Sequence, residues 1–357
     1  MNVYLILFFW TALMWWISKF IHSIYAKKIF VLATLFPAII VMALRAPDVG
    51  SDTGMYNRLF YELQGESVAF FSDSSTMLPI ENSFILITNF LGLFTNDSQA
   101  IIAFYSFFTM LIWIWIFYYK SENIYMSTLL FMGMFYCEGF NSIRQCLSTV
   151  LVYAAFMLRF DKQTTKSFVI LALSYFIHHS SIIFFPLFFL YPLNTKKCLL
   201  SVFSVFVITF IVYFSGIDLL SFFISEKYAE YFYNVYSEPQ PLGAGIIKIF
   251  IFILVGIWGI YLCNRIKICN MCKDKQVIKF FCLFLLIASC FTLLQYRIGI
   301  FYRLIYSFSI GLCILIPLYA KYSSFNKYYL YIPTILFIAF YLFFTLSKNP
   351  ELNYSMW

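Results

Sequence analysis

Long apolar runs follow one another along almost the whole chain, with only short polar connections between them. Each run approaches the roughly 20 residues that a helix needs to cross the hydrocarbon core of a bilayer. The runs are far too long for the strands of a membrane barrel, so they predict membrane-spanning helices. They cover residues 3–18, 29–44, 99–119, 124–137, 198–215, 246–263, 280–296, 304–320 and 328–347.

Three further segments depart from this pattern. Residues 143–160 are less apolar and predict a helix that faces the interior of the bundle, and residues 83–95 are too short to span and predict a re-entrant or interfacial helix. Residues 167–193 predict a hairpin of two half-length helices, with His178 and His179 at its tip. The alternative is one long span through that stretch. The pattern as a whole predicts an all-α polytopic membrane protein with about 10–12 transmembrane helices, which form a single domain over residues 1–357.

The distribution of Lys and Arg predicts the orientation of these helices, because cytoplasmic loops carry an excess of basic residues. Residues 45–82 carry two basic and six acidic residues, and residues 216–243 carry one basic and four acidic residues. We therefore expect these two segments to be extracytoplasmic and residues 264–279 to be cytoplasmic. The net charge of +8 mostly reflects this bias, so it does not point to nucleic acid. The basic clusters are Lys19, Lys27 and Lys28; Arg159, Lys162 and Lys166; Lys196 and Lys197; Arg265, Lys267, Lys273, Lys275 and Lys279; and Lys321 and Lys327.

Charged residues are scarce in this chain, which is 62% hydrophobic and only 11% charged. An ionisable residue at or near membrane depth is costly, so it marks a functional site by default. With every basic cluster inside, several ionisable residues fall on the outer side of the membrane or at outward membrane depth. They are Arg45, Asp48, Asp52, Glu81, Arg144, His178, His179, Arg297 and Arg303.

The first group of these residues follows the second apolar run directly. Arg45, Asp48 and Asp52 occur in a short segment that ends near Tyr56 and contains glycines at 50 and 54. Pro47 ends the preceding helix, and the glycines permit a tight turn. The segment therefore predicts two carboxylates and an arginine in one loop at the membrane edge. An ordinary boundary loop with a snorkelling Arg45 is the alternative.

The second group lies at the start of residues 143–160. Asn141, Arg144 and Gln145 occur where an otherwise apolar helix is predicted to begin. The free N–H groups of a helix N-terminus bind anions, and an arginine adds a planar bidentate donor. A purely structural arginine is favoured less, since a cation is better placed at a helix C-terminus.

The remaining candidates are two histidines and two arginines. His178 and His179 stand in an uncharged apolar stretch, where an imidazole can act as a base, donate to phosphate or bond a neighbouring helix. Adjacent residues on a helix point in different directions, which argues against joint metal ligation. Arg297 and Arg303 lie between two spans with hardly any loop. Arg297 fits a snorkelling role, whereas Arg303 is one turn further into apolar sequence and needs a partner.

These motifs together resemble the EpsG family, a branch of the Wzy-type bacterial polysaccharide polymerases. The resemblance spans residues 45–303 and rests on R-x-x-D-x-G-x-D-T-x-x-Y, N-x-x-R-Q, H-x-S and a late arginine. His179 doubles the histidine of the third motif and leaves open which imidazole acts. The matching residues are Arg45, Asp48, Gly50, Asp52, Thr53, Tyr56, Asn141, Arg144, Gln145, His178, Ser180 and Arg303.

The resemblance implies a fold like that of the C-type glycosyltransferases and an enzyme of the bacterial cytoplasmic (inner) membrane. Its substrates would be glycan repeat units on undecaprenyl diphosphate, as donor and acceptor, and its site would face the periplasm. A polysaccharide co-polymerase that regulates chain length and a flippase are candidate partners. The product would be O-antigen, capsule or exopolysaccharide. No cofactor and no metal are expected. Apart from Asp48 and Asp52, no outer carboxylates are spaced so that they could bind a metal ion together.

These residues suit an inverting glycosyl transfer, in which lipid diphosphate is the leaving group. Preorganised arginine donors stabilise the negative charge that develops on a diphosphate, which assigns this role to Arg144 and Arg303, with Arg45 third. His178 or Asp52 is the candidate base for the acceptor hydroxyl. The other outer residues are candidates for substrate binding: Asp48, Asn141, Gln145, His179, Arg297, Tyr56 and Glu81. Two other functions stay open, a lipid-linked oligosaccharide flippase or transporter and a membrane O-acyltransferase.

Overall fold

The computed structural model describes residues 2–20, 25–65, 80–215, 245–265, 272–299, 301–323, 327–349 and 352–356. Within these ranges the secondary structure is helical, apart from one isolated bridge between Arg45 and Met356. The predicted all-α class is therefore confirmed. Three predictions fall wholly or partly outside the described residues. They are the loop 216–243, which lies there entirely, and parts of the loops 45–82 and 264–279.

The chain divides into two compact units. Residues 1–185 together with 324–357 form the first, and residues 186–323 form the second, with the boundary inside the short helix α9 (Phe184–Phe189). The helices of the first unit are α1 (Asn2–Ser18), α2 (Ala26–Ala43), α3 (Thr53–Glu62), α4 (Asn82–Gly92), α5 (Gln99–Lys120), α6 (Ile124–Met134), α7 (Ile143–Phe160), α8 (Thr164–Ile177) and α15 (Lys327–Lys348), with 3₁₀ turns at Tyr136–Phe140 and His179–Ile183.

The second unit consists of long apolar helices around α12. It contains α10 (Thr195–Ser215), α11 (Gly245–Arg265), α12 (Lys273–Leu294), α13 (Phe301–Ser309) and α14 (Leu312–Tyr322). The side chains of α12 are almost all buried, because α10, α11, α13 and α14 all pack against it.

Eight helical segments of the described chain are long and apolar enough to cross a membrane. They are α2, α5, α7, α10, α11, α12, α15 and the continuous stretch that holds α13 and α14. Shorter apolar helices accompany them, among them α1, α4, α6 and α8. The protein is therefore a multi-pass membrane protein, and every predicted apolar run corresponds to a helix.

Helix α7 occupies the interior of the first unit. It packs against α5 and α8. Of its residues, 83% are buried, although its mean hydropathy is only 1.3. This agrees with the prediction of a bundle-facing helix. Other contacts of the unit join α1 to α2 and α6, α2 to α5, α15 to α6, α3 and α4 to α5, and α4 to α8.

Two interrupted helices follow the sequence pattern to different degrees. The helix α8 ends at Ile177, and His178 has an extended backbone with φ −156° and ψ 119°. The predicted break at the histidine pair is therefore confirmed, while the choice between a hairpin and a single interrupted span through 167–193 stays a prediction. The second break, between Ser309 and Leu312, was not expected, since residues 304–320 read as one uninterrupted run.

Candidate active site

The carboxylate of Glu81 joins three segments that are distant in sequence. Glu81 is the N-cap residue of α4, and its side chain is only 2% exposed. One carboxylate oxygen, Oε2, accepts a hydrogen bond from Nη1 of Arg144. The other, Oε1, is bonded to Nδ1 of His178 and accepts a longer bond of 3.4 Å from the main-chain N–H of His179. Both oxygens are thus used, and each holds a different functional residue.

Arg144 is the second residue of α7, where sequence analysis placed an anion-binding group. Its guanidinium lies 5.7 Å from the ring centre of Tyr56 and 5.6 Å from that of Phe84. Such aromatic contacts stabilise a cation and fix the plane of the guanidinium. Its Nε is buried and has no hydrogen-bond partner in the described part of the chain. A buried donor without a partner is costly, so this nitrogen is suited to a ligand.

His178 is held by the end of α8 and by a serine of α7. Its main-chain N–H donates to the carbonyl of Ser174 at 3.0 Å, and its own carbonyl accepts from the N–H of Ser181 at 3.1 Å. The hydroxyl of Ser148 donates to the Ser174 carbonyl at 2.8 Å and so ties this break to α7. The side chain of His178 is 24% exposed, so the imidazole stays accessible beside a buried carboxylate.

The two adjacent histidines have different surroundings. The ring of His179 stacks on Tyr175, with ring centres 4.9 Å apart, whereas the ring of His178 contacts Glu81. The main-chain N–H of His179 donates to the carboxylate. This geometry favours His178 as the imidazole that takes part in chemistry.

The electrostatics of the site centre on Glu81. Burial raises the pKa of its carboxyl group, but the nearby Arg144 and His178 outweigh that effect and lower the pKa to about 2. Glu81 is therefore ionised at any physiological pH. Its negative charge compensates the charge of Arg144, which would otherwise be buried without a counter-ion.

The loop 45–53 packs directly onto the turn that precedes α7. The main-chain N–H of Ser51 donates to Oδ1 of Asn141 at 3.0 Å. Gly50 has φ +89°, and a Cβ at that position would lie 2.3 Å from the carbonyl oxygen of Phe140. Only glycine fits such a close approach at a positive φ. The first two motifs of the sequence are thus in contact, and Gly50 and Asn141 make that contact.

Replacing Gly50 with alanine is expected to separate these motifs, and Gly65 provides a matched control. Gly65 also has a positive φ, +86°, but a Cβ added there would meet no heavy atom of the described chain within 4 Å. Gly65→Ala should cost only the strain of a left-handed alanine, about 1–2 kcal/mol. Gly50→Ala should cost clearly more, because it also meets the Phe140 carbonyl. Thermal unfolding of both purified variants measures the difference, and equal melting temperatures would contradict the contact.

Arg45 has a different place from the one that sequence analysis gave it. Its side chain is fully buried, and all three nitrogens donate within the protein. Nη1 donates to the carbonyl of Met42 at 2.7 Å, Nε to the hydroxyl of Thr53 at 3.0 Å and Nη2 to the carbonyl of Phe140 at 3.2 Å. Neither the snorkelling alternative nor the third phosphate contact fits this geometry. We therefore revise the role of Arg45 to that of a residue that holds the loop 45–53.

The two aspartates of that loop are paired with serines. Asp48 is exposed and accepts from the hydroxyl of Ser355 at 3.0 Å. Asp52 is 9% exposed, precedes α3 and accepts from the hydroxyl of Ser51 at 3.0 Å. Asp52 therefore remains a second candidate base, while Asp48 remains a candidate for substrate binding.

Arg297 and Arg303 belong to the second compact unit, so the site described here is built from the first unit alone. Arg297 lies in the turn after α12 and is exposed. Arg303 is in the first turn of α13, is half-buried, and its Nε donates to the hydroxyl of Tyr302 at 3.1 Å. The phosphate-binding role of Arg303 stays a prediction.

Gln145 and Glu81 were both predicted from the sequence as substrate-binding residues. Gln145 is buried, with 5% exposure, beside Arg144. Glu81 was expected only as one of several substrate-binding residues, and the structure places it between Arg144 and His178. The one local signal for Glu81 was a lone acid just before an apolar segment too short to span. No group of three His, Cys, Asp or Glu side chains in the described ranges is arranged to hold a metal ion.

Comparison with known proteins gives one match. The model of the EpsG family matches residues 27–356, which is nearly the whole chain and includes every motif discussed above. The comparisons with curated proteins and with solved structures find no match. The family match covers nearly the whole chain, and the helical membrane fold and the contact between the motifs agree with it. The chain therefore belongs to the EpsG family, a family of membrane proteins of polysaccharide biosynthesis.

Proposed function

We propose that this protein polymerises oligosaccharide repeat units carried on undecaprenyl diphosphate, at the outer face of the cytoplasmic membrane. The observation that carries the proposal is the cluster of Arg144, Glu81 and His178 at the N-terminus of α7. It combines a fixed guanidinium, which suits a phosphate group, with an accessible imidazole, which suits proton transfer. A glycosyl transfer that releases a lipid diphosphate needs both.

In the proposed reaction a hydroxyl group of the acceptor glycan attacks the anomeric carbon of the donor. The new glycosidic bond forms as the bond from that carbon to the diphosphate breaks, and undecaprenyl diphosphate leaves with the electron pair. A single displacement inverts the anomeric configuration. The hydroxyl proton passes to His178, with Asp52 as the second candidate base. Negative charge grows on the departing diphosphate, where a preorganised donor has its largest effect.

Arg144 is the proposed diphosphate donor for two reasons. Its plane is fixed by Tyr56 and Phe84, so little side-chain entropy is lost when a phosphate binds. One nitrogen holds Glu81, and Nε is buried without a hydrogen-bond partner within the described structure, so a phosphate oxygen that reached it would satisfy this donor. The N-terminus of α7 adds a favourable dipole for an anion. Arg303 stays a further candidate donor, as predicted from the sequence.

Purified protein in lipid vesicles tests the proposal directly. The probe is the lipid-linked repeat unit extracted from a strain that lacks this protein. We expect a ladder of lipid-linked products that differ by one repeat unit, together with free undecaprenyl diphosphate. Movement of the probe between leaflets without a ladder would indicate a flippase, and a mass gain of acyl groups would indicate an O-acyltransferase. Either result would overturn the proposal.

The proposed outward orientation of the site has its own test. Two exposed residues serve as probes. Glu62, at the end of α3, lies in a segment predicted to be outside, and Gln163, between α7 and α8, lies in a segment predicted to be inside. In a variant without native cysteines, Glu62→Cys should react with a membrane-impermeant maleimide in intact cells, because residues 45–82 face outward. Gln163→Cys should react only after lysis. The reverse pattern would invert the orientation.

A further inference from the structure

The bond between Glu81 and His178 carries an inference that rests on the proposed function. We propose that Glu81 is a positioning residue that determines which nitrogen of His178 bears the proton. It keeps the hydrogen on Nδ1 and thereby leaves Nε2 as the proton acceptor for the acceptor hydroxyl. Glu81 itself need not contact the substrate, since it is 2% exposed and both of its oxygens bind protein groups.

The first step of the argument concerns hydrogen-bond roles. An ionised carboxylate can only accept hydrogen bonds. Nδ1 of His178 contacts Oε1 of Glu81, so Nδ1 must be the donor. A neutral imidazole carries one N–H, and its other nitrogen is then an acceptor. The low pKa of Glu81, about 2, agrees with an ionised partner. The neutral ring therefore has its lone pair on Nε2, and His178 is the more accessible of the two partners.

The second step concerns Arg144, which prevents Glu81 from reversing this arrangement. Every guanidinium nitrogen is a donor, so Arg144 requires an acceptor oxygen on its side of Glu81. The main-chain N–H of His179 supplies a second donor to Oε1. Donors thus surround the carboxylate on both sides. A protonated carboxyl group or an amide at position 81 carries a donor of its own. That donor would face one of these protein donors, and the two could not form a hydrogen bond.

The substitution Glu81→Gln follows from this geometry. Arg144 should draw the amide oxygen of the glutamine to its side, which directs the NH₂ group toward Nδ1 of His178. Nδ1 would then have to accept, and the ring proton would move to Nε2. The variant keeps the size of the native residue, loses the charge that compensates Arg144, and is expected to hold His178 in the wrong tautomer. We expect a loss of polymerisation on the order of 10⁴-fold, the effect known for a histidine base held in the wrong tautomer.

The tautomer of His178 can be determined by a measurement that does not depend on activity. The chain has three histidines, His22, His178 and His179. In ¹⁵N-histidine-labelled protein, NMR spectra recorded over a range of pH distinguish the protonated from the unprotonated ring nitrogen of the neutral imidazole. The signals of His178 are those absent from His178→Gln. We expect the wild type to show an Nδ1–H ring and Glu81→Gln to show an Nε2–H ring. Glu62→Gln is the matched control, because Glu62 is exposed and pairs only with Arg58 within the part of the chain that the structure describes.

The outcomes separate this inference from the proposed function. An Nε2–H ring in the wild type overturns the positioning role, whatever the enzyme makes. A full rate of polymerisation in Glu81→Gln overturns it as well. If instead the tautomers behave as expected but the wild-type protein makes no ladder of repeat units, the positioning role stands and the polymerase proposal fails. Glu62→Gln should match the wild type in both measurements.

Discussion

Replacing Arg144 with lysine is expected to lower polymer synthesis about 100- to 1,000-fold, the usual effect of removing a donor to the transition state. Lysine keeps the positive charge but presents a single ammonium group. It cannot hold Glu81 with one nitrogen and offer others to a diphosphate. Polymer length on gels measures the loss, in a deletion strain that carries the variant at matched expression.

The control for this substitution is Arg58→Lys, which changes an arginine of α3 whose side chain is 69% exposed. It should leave polymer length unchanged. Thermal unfolding of purified Arg144→Lys shows whether the variant stays folded, because a lysine can still neutralise Glu81. Near-normal polymer from a folded Arg144→Lys protein would refute the diphosphate role. The same comparison applies to Arg303→Lys, for which we also expect loss of most activity.

His178→Ala is expected to reduce polymerisation about 100- to 10,000-fold, because it removes the proposed base. Raising the pH should not restore activity, since no other group takes the place of the imidazole. His179→Ala is the matched neighbour, and it should reduce activity less, because the ring of His179 stacks on Tyr175, whereas Nδ1 of His178 is bonded to Glu81. The measurement is again polymer length, supplemented by the rate of product formation in vesicles.

The pattern of the two histidine variants also tests the alternatives. An inactive His179→Ala protein beside an active His178→Ala protein would exchange the two roles. If both variants are active, the base is neither histidine and Asp52 becomes the candidate. Asp52→Asn would then be the decisive variant, since asparagine keeps the size of the side chain but cannot accept the proton.

The helical architecture could be predicted because lipid imposes a simple rule on the chain. Apolar length locates the spanning helices, and shortness or lower hydropathy located α4 and α7. The helix α3 escaped notice because it is amphipathic and stands in an acidic segment that reads as a loop; its buried side chains include Tyr56, Leu59 and Phe60. The break between α13 and α14 lies in an otherwise uniform apolar run. Gly311 is the one residue there that favours a break in a helix.

The candidate site was predictable in its members but not in its arrangement. Scarce charges in an apolar chain identified Arg144 and His178, since each is costly in such a place. Glu81 lies 63 residues before Arg144 and 97 before His178, and no local pattern records a contact of that separation. For the same reason Arg45 was assigned to the substrate. Its three acceptors come from the helix before it, from its own loop and from the distant residue Phe140.

The high burial and low hydropathy of α7 have a consequence for how the protein is made. With a mean hydropathy of 1.3 and an arginine at its start, α7 gains little free energy from contact with lipid. Its stable insertion therefore depends on helices already in the membrane, and α2, α4 and α5 all leave the ribosome before it. Glu81 is synthesised before Arg144, so the acid that compensates this arginine is already part of the chain when α7 is made. Substitutions that loosen α5 should thus appear first as failed integration of α7 and degradation of the chain, before any change in catalysis can be measured.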